Sequence, residues 1–181
     1  MSPAPLFHLV SVIAAALAVG AGVLLPALGQ AHAARRAMQA IARQPEEAPI
    51  ISRNLYIGLA MIESQALYVL IVALILLFAD PLGARLSEAS ARGPLAVWVL
   101  IASAAMAAVA VTAGTALSSL GQGRVTGEAL TAIAEQPAAR EAISTTLFIS
   151  LALLESLALY ALIVVLILLF ANPVVPLVLA G

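Results

Sequence analysis

Residues 61–79 read MIESQALYVLIVALILLFA, and residues 153–171 read LLESLALYALIVVLILLFA. Each is an apolar run interrupted by one carboxylate, Glu63 or Glu155, with a serine directly after it and a tyrosine five positions on. The two runs stand 92 residues apart, and the same offset aligns the rest of the two halves without a gap. Leu28-Gly29-Gln30 meets Leu120-Gly121-Gln122, Ala40-Ile41-Ala42 meets Ala132-Ile133-Ala134, and Gln44-Pro45 meets Gln136-Pro137. A fixed-period repeat of this kind is read before any local feature, because it sets the architecture.

The solvent follows from composition. The 181 residues are 64% hydrophobic and 9% charged, with a mean hydropathy of +1.12, whereas soluble domains are about half apolar and about a quarter charged. Four apolar stretches, residues 5–28, 55–79, 94–120 and 143–171, each exceed the roughly 20 residues a helix needs to cross a bilayer. They do not alternate as barrel strands do. The expected fold is therefore an all-α membrane protein with four transmembrane helices in two tandem hairpins. An even number of spans separates the copies, so they keep one orientation and are not an inverted repeat. The first hairpin is placed at residues 1–83, a Pro-, Gly- and Ser-containing linker at 84–93, and the second hairpin at 94–181. The first apolar run has no basic residue before it and is too long for a secretory signal, so it is expected to stay as a helix.

Charge and residue types exclude several functions. A net charge of −1 with no lysine gives no basis for nucleic-acid binding. The absence of cysteine removes disulfide and thiol chemistry, and two histidines without cysteine are a poor zinc set. Arg35, Arg36, Arg43 and Arg53 flank the first Gln-Pro turn, and Arg124 and Arg140 the second, against Arg85 and Arg92 in the linker. This bias puts both turns in the cytoplasm and both termini outside.

Glu63 and Glu155 carry the chemistry. A charge near the middle of a bilayer costs about 3 kcal/mol on insertion scales, and a purely apolar helix would insert more easily. Keeping the carboxylate in both copies points to use. A rise of 1.5 Å per residue puts Tyr68 and Tyr160 about 7.5 Å along the axis from the glutamates, within bridging reach of a tyrosine side chain. Gln30 and Gln122 lie fifteen residues before the turn prolines, and the glutamates eighteen after, so two straight helices bring them to similar depth. Carboxylate, amide, hydroxyls and carbonyls together suit a proton or a hard cation such as Na⁺. Each Ser, Gln or Tyr alone would read as ordinary interhelical hydrogen bonding.

Each half resembles the rotor-ring hairpin, or c-type subunit, of F-type rotary ATP synthases, most specifically in Ala42-Arg43-Gln44-Pro45-Glu46 and in Glu63-Ser64…Tyr68. The Gln30, Glu63, Ser64, Tyr68 set is similar to that of the family's Na⁺-binding members. The resemblance implies side-chain oxygens from Gln30, Glu63 and Ser64, the carbonyl of Met61, and Tyr68 locking the carboxylate. In the second half it implies Gln122, Glu155, Ser156, the Leu153 carbonyl and Tyr160. It implies no resident cofactor, only transported H⁺ or Na⁺, with Na⁺ at Glu63 and Glu155 the preferred reading. It also implies a homo-oligomeric ring in a cell inner membrane, turning against the stator's a subunit, with Arg43, Gln44, Pro45, Gln136 and Pro137 facing the central stalk of γ and ε subunits.

Three departures stand out. The sodium-binding members usually carry a threonine after the serine; Gln65 and Leu157 stand there, which removes a water ligand. Glu135 replaces the turn arginine of the second copy, so stalk contact is expected to alternate. The glycine-rich stripe of the family's first helix becomes Val23, Leu25, Ala27, Gly29 and Thr115, Leu117, Ser119, Gly121; bulkier residues there predict a wider ring. Fused hairpins also resemble V-type proteolipids, which commonly keep one carboxylate per two hairpins. Retention of both suits ATP-driven export at high load, as in the N-type branch. The chain itself would do no ATP chemistry. A proton-coupled small secondary transporter is the alternative, and spans this poor in aromatic and polar groups line a substrate cavity badly.

Overall fold

A computed structural model describes residues 3–180, with side chains from Pro5 onward; expectations for residues 1, 2 and 181 lie outside the described residues. The elements are α1 (Pro3–Gly22), α2 (Leu24–Arg43), α3 (Ala48–Phe78), α4 (Leu86–Arg92), α5 (Pro94–Glu135), α6 (Arg140–Phe170) and α7 (Val174–Ala180), with 3₁₀ turns at Pro45–Glu47, Gly83–Arg85 and Pro137–Ala139. Four helical stretches are long and apolar enough to cross a membrane: Pro5–Arg43, Pro45–Arg92, Pro94–Glu135 and Pro137–Ala180. The protein is thus a multi-pass membrane protein, and among the described residues there is no strand.

The helices run well beyond the apolar stretches, because the polar segments before each Gln-Pro keep helical spacing. The first stretch breaks at Val23, between α1 and α2. Pro26 has no N–H to give the Gly22 carbonyl four residues back, and a missing rung breaks or kinks a helix. The equivalent position in α5 is Ser118, and α5 runs unbroken for 42 residues. Gln44 (φ −135°, ψ 78°) and Gln136 (φ −134°, ψ 72°) leave the helical region in the same way. The following proline disfavours α geometry at the residue before it, so the two turns are one device used twice. Part of the expected linker is itself helical: α4 occupies Leu86–Arg92. It ends at Gly93, whose φ of 118° is a conformation side chains resist, and Pro94 then opens α5.

The chain forms two compact units. The first is the described part of Met1–Gly22, Tyr68–Gly114, and the described part of Tyr160–Gly181. Phe7, Ala15, Val69, Val72, Leu100 and Val165 are among its fully enclosed apolar side chains. Here too the copies repeat a device. Ser11 Oγ donates to Asp80 Oδ2 at 3.0 Å, while Asp80 Oδ1 accepts the Leu82 and Gly83 N–H groups. Ninety-two residues on, Asn172 Nδ2 donates to Ser103 Oγ at 2.8 Å and its Oδ1 accepts the Val174 N–H. Leu70, Ile71, Leu74 and Phe78 of α3, and Ile163, Val164, Ile167 and Phe170 of α6, are exposed. Rows of this kind would be untenable in water and are at home in hydrocarbon.

The second unit is Val23–Leu67 with Thr115–Leu159. Ala37 and Ala40 of α2, Ile51 of α3, and Leu130 and Ile133 of α5 form its apolar cluster near the turns. α2 and α5 meet backbone to backbone: a Cβ on Gly123 would lie 2.4 Å from Gly29 Cα. Within this unit polar groups of α3, α5 and α6 come together, and α2 meets α3 through a further polar pair.

Candidate functional site

Glu155 on α6 is buried, with 9% of its surface exposed. Its Oε2 accepts from Gln122 Nε2 of α5 at 3.0 Å and from Gln65 Nε2 of α3 at 2.9 Å; its Oε1 lies 2.9 Å from Ser64 Oγ of α3. Gln65 and Gln122 are fully buried. Gln65 Nε2 also reaches Ser118 Oγ and Gln122 Oε1, each at 3.3 Å, and Ser118 donates to the Leu154 carbonyl. Both hairpins therefore close on one carboxyl group: Gln122 comes from its own hairpin, and Ser64 and Gln65 come from the other.

Ser64 Oγ has one hydrogen and two oxygen neighbours, the Met61 carbonyl at 2.7 Å and Glu155 Oε1 at 2.9 Å. A hydroxyl donates once and accepts twice. Gln65 Oε1, by contrast, is fully buried without a hydrogen-bond partner.

Glu63 is placed differently. Its Oε2 accepts from Gln30 Nε2 of α2 at 2.7 Å, the counterpart of Gln122 to Glu155, but the residue is exposed. Ser156 Oγ donates to the Leu153 carbonyl at 2.8 Å. Leu153 and Leu157 are exposed beside it. Tyr68 and Tyr160 fall in the first unit, Tyr68 partly buried against its core and Tyr160 exposed. In sequence, Gln65 reads as the loss of a ligand; the structure puts its amide on Glu155. The overlooked signal is a long polar side chain inside an apolar run, one residue beyond Ser64.

The turn end of this unit is charged. Arg36 Nη2 pairs with Glu128 Oε1 at 3.1 Å, Arg43 Nη1 with Glu135 Oε1 at 3.8 Å, and Arg140 Nη1 reaches both Glu47 oxygens at 2.9 and 3.2 Å. Glu135, the second copy's counterpart of Arg43, thus faces that arginine within the chain. Gln44, Pro45, Gln136 and Pro137 form the turns themselves.

A family model for the C subunit of ATP synthase matches the chain twice, at residues 13–76 and 105–168. The second of the ATP synthase c subunits of Cereibacter sphaeroides is 58% identical over 74 residues, which are 41% of this chain and 89% of that protein. The ATP synthase c subunit of a Synechococcus strain is 52% identical over 77 residues, 42% of this chain and 95% of that protein. The corresponding protein of a Nostoc strain is 49% identical over 77 residues, 42% of this chain and 95% of that protein. Each relative is thus nearly covered by less than half of this chain, as two fused copies require. The chain belongs to the family of ATP synthase c subunits, as a membrane ion-translocating component rather than a catalytic one, with two of the family's hairpins joined in a single polypeptide.

Proposed function

We propose that copies of this chain close into the rotor ring of an F-type ATP synthase or ATPase, carrying one ion on each of Glu63 and Glu155. The observation that carries this reading is the Glu155 carboxyl group, held by Ser64, Gln65 and Gln122 from both hairpins. A carboxylate is costly in hydrocarbon, so a site crosses the lipid face only when a bound ion has neutralised it. It releases the ion in the stator's half-channel, beside the a subunit's compensating charge. Ring closure has its own support in the charged pairs. Arg36 and Glu128 occupy equivalent repeat positions, as do Arg43 and Glu135, and each pair is joined within the chain. The same relation carried onward sets Glu128 against Arg36 of the next copy. Two belts of alternating charge then run round the ring, the self-complementary pattern a closed head-to-tail assembly needs. The Gln-Pro turns face the central stalk on the cytoplasmic side of the inner membrane, where the arginine excess lies.

A proton as the ion would find an acceptor in Ser64 Oγ, whose own hydrogen can go to the Met61 carbonyl. A specific observation also favours Na⁺: the buried, unpartnered Gln65 Oε1 sits beside the carboxyl group as a further hard oxygen. Replacing both glutamates, Glu63→Gln with Glu155→Gln, abolishes ion-coupled ATP hydrolysis on this reading; coupling that survives refutes it. Labelling with a carbodiimide identifies the ion. Protection by Na⁺ at fixed pH assigns sodium, and protection by raised pH alone assigns protons.

A further inference from the structure

We propose that the ring holds two chemically different ion sites in strict alternation, a Gln65-reinforced site at Glu155 and a leucine-walled site at Glu63. The proposal rests on the ring reading and adds to it. The Glu155 site is complete inside one chain. The Glu63 site is not: Gln30 is its hydrogen-bond partner among the described residues, and the carboxyl group stays exposed. The contact from Ser64 to Glu155 runs from first hairpin to second. Advanced by one repeat, it runs from Ser156 to Glu63 of the next copy. Ser156 and the Leu153 carbonyl lie on an exposed edge where they can serve as Ser64 and the Met61 carbonyl do.

The match ends at the next residue. Where Gln65 places an amide on Glu155 at 2.9 Å and a buried unpartnered oxygen beside it, the neighbouring copy offers Leu157, which is 56% exposed on the lone chain. A leucine neither donates to a carboxylate nor ligates a cation. Ser118, which meets Gln65, has Pro26 as its repeat counterpart, so that hydroxyl is missing as well. The turn end of the seam differs in the same direction. The Glu47–Arg140 pair inside the chain becomes Ala139 against Ala48 between copies. To swing out toward the stator or toward a reagent, the Glu155 carboxyl group must break the Gln65 hydrogen bond, which Leu157 cannot make to Glu63.

The test is residue-resolved carbodiimide labelling of the intact, detergent-solubilised ring, with the modified peptides counted by mass spectrometry over time. One additional amide hydrogen bond corresponds to about a fivefold difference in rate, so Glu155 is expected to react about fivefold more slowly than Glu63. Gln65→Leu should bring Glu155 to the rate of Glu63, and Leu157→Gln should slow Glu63 toward that of Glu155. The wild-type comparison needs no variant, so an assembly defect in either substitution leaves the proposal exposed. Equal wild-type rates overturn the alternation while leaving the rotor function standing, as does a difference that Gln65→Leu leaves untouched. If neither glutamate reacts and the double glutamine variant still couples, the rotor reading falls and this proposal falls with it.

Discussion

The contact between Gly29 and Gly123 makes a sharp prediction. A methyl group at position 123 would sit 2.4 Å from Gly29 Cα, 2.5 Å from Gly29 O and 2.6 Å from Gly29 C. All three are backbone atoms, so no rotamer change relieves the clash. Comfortable Cβ contacts begin near 3.4 Å, so Gly123→Ala must push α2 and α5 apart by about 1 Å. Overpacking of this kind costs about 1–3 kcal/mol, against about 0.5–1 kcal/mol gained from replacing a helical glycine by alanine. A net loss of about 1–2 kcal/mol is expected. The site should feel it too, since Gln65 on α3 bridges to Gln122 on α5, and their 3.3 Å contact stretched by about 1 Å is no longer a hydrogen bond. The assay is thermal dissociation of the purified ring, run beside residue-resolved labelling of Glu155. Gly20→Ala is the control, because nothing lies within 4 Å of its added methyl, and it should leave the ring as stable or slightly more so. If Gly123→Ala and Gly20→Ala dissociate at the same temperature and label alike, the close approach of α2 and α5 is wrong.

Arg36→Glu sets two carboxylates side by side where a 3.1 Å ion pair stood; ring yield should fall, most strongly at low salt where screening is weak, and adding Glu128→Arg should restore it. Asn54 is fully buried and its Nδ2 donates to Ser144 Oγ at 2.7 Å, so Asn54→Ala should cost about 1–3 kcal/mol, read as a lower dissociation temperature of the chain in detergent. Glu47→Ala leaves Arg140 without its two-oxygen partner; Arg140 is about half exposed, so screening limits the loss to about 1 kcal/mol or less, measured by the same melt.

Much of the protein was legible in the chain because bilayer physics is written in composition and length. An apolar run of more than 20 residues has few alternatives to a spanning helix, and a proline after Gln44 or Gln136 marks a break wherever it occurs. The 92-residue repeat made Glu63 and Glu155 equivalent, and equal depth along two antiparallel helices placed Gln30 and Gln122 beside them. The break at Val23 was also within reach, since Pro26 stands inside the helical pattern. The limit came with groups related across hairpins. Equivalence in a repeat says which positions correspond, while contact depends on how far one helix is rotated and shifted against another.

That difference divides what each source determined. The sequence alone established the four spans, the tandem hairpins, the family resemblance and the two carboxylates, because each follows from local periodicity or from the identity of one half with the other. Only the tertiary structure decided that Glu155 is enclosed by Ser64 and Gln65 while Glu63 lies open. The tertiary structure also decided that Arg36 meets Glu128, and that Gly29 and Gly123 touch. A single chain has one seam between its hairpins and two free edges. The repeat makes the glutamates alike in sequence, and their places on the seam and at the edge make them unlike in structure.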